Sequence, residues 1–160
     1  MGFRVRKIAH RPWPVTVKTL EGDASGNVVE AAQTFVAHYR PFTEREFSAL
    51  LAEAEKMYPT VGDAPLTYET LLLRNAHLFG ALVVGWGAEV VDEAGQPIPF
   101  SRDVLASMVT GPDGLALSAG IHASLYQLRH GIAPEKNSSA SPAPGPENEA
   151  GEAPTSSSTI

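Results

Sequence analysis

The hydrophobic period of this chain changes at Pro41, and that change constrains the fold more than any other feature. Before it, Trp13, Val15 and Val17 alternate with Thr16 and Lys18, and Phe35, Ala37 and Tyr39 alternate with Thr34, Val36 and His38. A period of two puts successive side chains on opposite faces of a strand, so both segments read as half-buried β-strands. The intervening EGDASGN supplies two glycines, an Asp and an Asn, the chemistry of a hairpin loop. FRVRKI, residues 3–8, offers a third strand, and Pro12 and Pro14 suit an edge strand or a strand start.

After Pro41 the period becomes helical. Thr43 and Glu46 have capping-box spacing, and Phe47, Leu50, Leu51, Ala54 and Met57 recur on one face behind them. Pro59 closes this helix. A second is expected behind Pro65, with Leu71, Leu72, Ala76, Phe79, Leu82 and Val83 forming a wide apolar stripe, and it is expected to continue to about Trp86. DEAG at 92–95 reads as a turn, PIPF as extended, and Ser101 as the N-cap of a short helix carrying Val104, Leu105, Met108 and Val109. A last helix over about 114–130 presents Leu117, Ile121, Leu125 and Leu128, and Gly131 sits where a C-terminal glycine cap belongs. Strands followed by helices imply an α+β fold: a small N-terminal antiparallel β section of two to three strands, then a four-helix, mostly α domain. The β-rich section is placed at 1–40 and the helical domain at 41–133. From Pro134 onward the residues are almost all Pro, Ser, Ala, Gly, Glu, Asn and Thr, so 134–160 reads as a disordered C-terminal tail that buries too little surface to offset its ordering entropy.

Composition bounds the function class. No apolar run approaches the roughly 20 residues that span a bilayer, and no apolar core follows the basic N-terminus as a secretory signal requires. A soluble, unexported protein without a membrane partner is expected. The absence of cysteine excludes disulfides, thiolate metal sites and cysteine nucleophiles together. Net charge runs +3 over 1–40, −6 over 41–133 and −3 over 134–160. An acidic body does not neutralise phosphates, so nucleic acid is not an expected partner.

The motifs tested for chemistry fail on spacing or context. Gly85-Trp86-Gly87 follows a helix pattern rather than a strand, and Val90 stands where the dinucleotide fingerprint requires a third glycine. His10, His38, His77, His122 and His130 form no metal-helix pattern, and no cofactor is expected. Ser118 and His122 lie four apart on a helix, but neither a nucleophile elbow nor an oxyanion donor accompanies them. The expectation is a protein that is not an enzyme.

One long segment carries a resemblance. An apolar helix pattern ends in Gly85-Trp86; Asp92, Gly95, Pro97, Pro99, Phe100 and Ser101 follow; then come a Val-Leu helix, a further helix, and Lys136-Asn137 ahead of the Pro/Ser/Ala tail. In order and spacing, residues 66–137 resemble the tail assembly chaperones of long-tailed bacteriophages. The resemblance implies a host-cytoplasmic protein that binds the tape measure protein, helps recruit tail tube subunits as they polymerise, and is missing from the mature virion. Some members are also made in an extended form by translational frameshifting. The runner-up is a structural tail-completion or connector protein retained in the virion. Self-association is left open. Trp86, Phe100, Met108 and Tyr126 are the candidate partner contacts, because aromatics and Met dominate adaptable interfaces. Their competing role is a place in the core.

Overall fold

A computed structural model describes residues 2–5, 7 and 9–134. The expected tail therefore lies, apart from Pro134, outside the described residues. Strands β1 (Arg11–Gly22) and β2 (Val28–Tyr39) form one long antiparallel ribbon, in register from Arg11 opposite Tyr39 to Gly22 opposite Val28. The carboxylate of Asp23 organises the connecting loop by accepting from the backbone N–H groups of Ser25 and Asn27, and Gly26 supplies the positive φ of 82° that the reversal needs.

Four helices follow: α1 (Glu44–Met57), α2 (Tyr68–Leu82), α3 (Arg102–Val109) and α4 (Gly114–His130). Their ends sit where the capping chemistry places them. The Thr43 and Glu46 side chains satisfy each other's backbone N–H groups at α1, and Thr67 and Ser101 cap α2 and α3. Gly131 ends α4 in the left-handed region at φ 64°.

Two sequence expectations are corrected. Helix α2 stops at Leu82 instead of running to Trp86, and Val83–Trp86 forms strand β3, which completes a three-stranded sheet in the order β1-β2-β3. The third strand thus comes from the mostly helical segment and not from residues 3–8, of which 3–5 and 7 adopt no strand. The cause is tertiary. The end of β2 presents an unpaired edge, and two β-branched valines followed by Gly85 suit that edge better than another helical turn. Arg40 N–H donates to the carbonyl of Leu82, so helix end and strand start are tied to β2 at one point.

Helices cover one face of this sheet. Val15, Ala37 and Tyr39 from the strands meet Leu78, Phe79 and Leu82 of α2, Leu105 and Val109 of α3, and Leu117, Ile121 and Leu125 of α4 in a single buried cluster. Ser124 donates its one hydroxyl proton to the carbonyl of Ile121, so the buried Tyr39 hydroxyl is the donor to Ser124 Oγ. Burial pushes the phenol well above its ordinary range, which keeps it protonated as a donor.

At the far end of α4, Arg129 forks onto Glu44 of α1, with Nε 2.9 Å from one carboxylate oxygen and a terminal nitrogen 2.7 Å from the other. Its guanidinium lies over the Phe47 ring at 3.9 Å from the centroid. The hydrogen bonds from Arg129 hold the Glu44 carboxyl below its ordinary value of 4.5. A depressed folded-state pKa contributes stability above the ordinary carboxyl range, and that contribution is lost as pH falls through the folded value. Glu44→Gln is therefore expected to lower the melting temperature modestly at neutral pH, and to melt with the wild type once both are acidified below the carboxyl range. Melting curves across that pH series check it. Because the pair is exposed, the gap should also shrink in salt.

Candidate functional site: an apolar groove beside strand β3

Side chains alternate along the ribbon, so Val15, Val17 and Thr19 share the helix-facing side with Phe35, Gln33 and Ala31. Helix α4 crosses this face at Gly120, where an added Cβ would stand 2.5 Å from the carbonyl oxygen of Thr16. Beyond Thr19 the residues of β1 are exposed as the ribbon runs on to its hairpin loop. Between the uncovered part of the ribbon and α3 lies an open groove of about 690 Å³. Val17 and Phe35 form one wall, Val104 and Met108 the other, and Trp86 and Leu117 contribute where the walls meet.

Trp86 is fixed from two sides. Its indole N–H donates to the carbonyl of Ile98 at 2.7 Å, and Phe100 packs against it edge to face, with centroids 4.8 Å apart and planes at 87°. The donor to Ile98 reaches across a small reversal in which Asp92 Oδ1 accepts from Ala94 and Gln96 and Gly95 adopts φ 75°. Val90 and Ile98 are then joined by a backbone hydrogen bond. The Asp92–Gly95 turn thus brings round the Ile98 carbonyl that orients the indole.

Beyond β3 the edge of β2 is continued by other means. Gly87 N–H donates to the carbonyl of Val36, and the Glu89 carboxylate accepts from Val36 N–H at 2.6 Å. That backbone hydrogen bond holds the Glu89 carboxyl below its ordinary value, so it is ionised at neutral pH. An added Cβ at Gly87 would fall 1.9 Å from the same carboxylate, so Gly87 leaves the space in which Glu89 reaches β2. The Gly-Trp-Gly segment is a sheet edge with an anchored indole, with the order strand-then-loop and no helix opening after it.

Three of the four candidate contacts come together and the fourth does not. Trp86 and Met108 line the groove, Phe100 supports Trp86, and all three are half-buried and packed on the core. They are core and surface at once. Tyr126 lies nine residues along α4 from Leu117, about 13 Å at 1.5 Å per residue. It is 54% exposed and stacks on His130 with centroids 4.0 Å apart. Tyr126→Ala is accordingly expected to change stability by less than about 0.5 kcal/mol, as surface positions do, and to leave the groove unaltered. Denaturant titration checks this.

Sequence reasoning missed Val17, Phe35, Val104 and Glu89 as groove residues. The strand alternation already placed Val17 and Phe35 on one face; no local pattern points to Glu89. The Ser118–His122 pair is not formed. His122 Nε2 lies 2.9 Å from Asn75 Oδ1, its ring packs edge-on against Phe79, and burial lowers its pKa. Among the described residues, no group of three or more His, Asp or Glu is arranged to hold a metal ion, and no single helix is long and apolar enough to cross a membrane. No protein-family model, curated protein or solved structure matches the chain.

Proposed function

We propose that this chain is a tail assembly chaperone of a long-tailed bacteriophage. It binds the tape measure protein, keeps it soluble in the host cytoplasm, and helps recruit tail tube subunits without catalysing a reaction. The observation that carries this reading is the apolar groove. It is open to solvent and runs over Trp86 and Met108, which belong to the same 66–137 stretch whose order and spacing resemble the family. A solvent-open surface of aromatic and Met side chains on an ordered scaffold is what a client with exposed apolar helices requires. The acidic body adds like-charge repulsion between complexes, which opposes their aggregation.

The test is the composition of the finished particle. Quantitative mass spectrometry of purified virions should find the tape measure and tube proteins and not this chain. Stoichiometric presence would overturn the chaperone reading and favour a structural tail-completion or connector subunit.

A further inference from the structure

The groove has a chemical polarity that says what fits it. Its walls are mainly apolar, yet among the described residues its charged lining consists of Glu21, Glu89 and Asp113, with no Lys, Arg or His. Lys18, the nearest base on β1, lies on the opposite face of the ribbon, 3.9 Å from Glu30. Residues 134–160 make a poor occupant, because they carry a net charge of −3 and their one strongly apolar residue is Ile160. Like charges at the rim would repel that segment. The open wall also defines a shape. Elsewhere the helix-facing side of the sheet is covered by helices, and a sheet face is buried by adding an element of that kind. From Val17 to Glu21 the strand that lines the groove rises about 13 Å, the length of roughly nine helical residues, which is two to three turns.

We propose that the groove seats an amphipathic partner helix of two to three turns, whose apolar face meets Val17, Phe35, Trp86 and Met108 and whose flanking lysines or arginines meet Glu21, Glu89 and Asp113. This rests on the chaperone reading and specifies which client segment is held. The partner helix completes the helical layer over the distal ribbon, with anchors spaced i, i+3 or i+4, and i+7. Glu89 contributes a carboxylate already fixed by the backbone of β2, so orienting it adds little ordering entropy on binding.

The probe is a fluorescein-labelled 16-residue peptide with leucines at helical spacing on an alanine background, flanked by lysines. A second peptide carries glutamates in place of the lysines. Anisotropy titration of the full chain should give saturable one-to-one binding of the lysine peptide, at least tenfold tighter than the glutamate peptide. The double variant Glu21→Lys and Asp113→Lys should weaken the lysine peptide about tenfold at low salt, and the difference should narrow as salt is added. Asp113 makes no side-chain cap bond to α4 and Glu21 is exposed, so the variant should stay folded, with a cooperative melting curve shifted only slightly below wild type by the cation placed at the α4 N-terminus. Equal binding of the two peptides, no saturable binding, or indifference to the rim change would overturn the proposal. So would sedimentation showing a wild-type dimer that the rim variant dissolves, which would assign the groove to a second copy. The titration reads the groove alone and virion composition reads the chaperone role alone, so the two can fail separately.

Discussion

Gly120→Val is expected to destabilise the fold by about 3 kcal/mol, the upper part of the range for overpacked cores. The first carbon of any side chain at position 120 would stand 2.5 Å from the carbonyl oxygen of Thr16, with the Thr16 carbonyl carbon and Val15 Cγ1 each at 3.2 Å. The obstructing oxygen belongs to the strand backbone and cannot rotate away, so α4 must lift from β1. Leu117, Ile121 and Leu125 ride on the same helix and are each at most 5% exposed, so lifting it opens the main core. A small domain has only about 5–15 kcal/mol of total stability, so the loss should be plain in a denaturation midpoint. Gly85→Ala is the matched control. Its new Cβ meets His38 at an ordinary 3.8 Å, and the variant should stay within about 1 kcal/mol of wild type. An unchanged midpoint for Gly120→Val would mean that α4 does not cross β1 as described.

Trp86→Ala is expected to lower stability by about 3 kcal/mol, the low end of the range for aromatic truncation because the ring is only half-buried. Three contributions are lost together: the packing area, the edge-to-face contact with Phe100, and the hydrogen bond to Ile98. Trp86→Phe retains much of the packing but not the N–H donor, and should lose about 1 kcal/mol. A residue serving only a partner would leave stability unchanged on truncation, and a residue serving only the core would leave binding unchanged. The geometry predicts that Trp86 affects both, because one side of the indole packs inward while another lines the groove. Paired denaturation and peptide-binding measurements on the two variants separate these outcomes.

What the sequence revealed, it revealed through local rules. The hairpin, the Thr43–Glu46 capping box, Ser101 and Gly131 each depend on residues within one turn of chain, and each could be read directly. The end of α2 could not. The run LFGALVVGW is apolar throughout, and an apolar run alone does not separate a buried helix from a buried strand. The deciding partner was the open edge of β2, over forty residues earlier in the chain. Residue type likewise identified Trp86, Phe100 and Met108 as adaptable side chains, but the same criterion selected Tyr126, which the fold places elsewhere on α4. The groove itself was not legible, because its walls come from β1, β2 and α3 and exist only once the sheet and helices have packed. Glu89 illustrates the limit: it reads as one more acid in a turn, and its bond to Val36 depends on β3 ending at Trp86.

The most direct measurement is coexpression of the full chain with the tape measure protein of the phage that carries it, as the proposed function requires, scored by the fraction of the tape protein that remains soluble and copurifies. The expected result is a large gain in soluble tape protein with the wild-type chain, reduced by Glu21→Lys with Asp113→Lys. Tape protein equally insoluble with and without the chain would contradict the chaperone role.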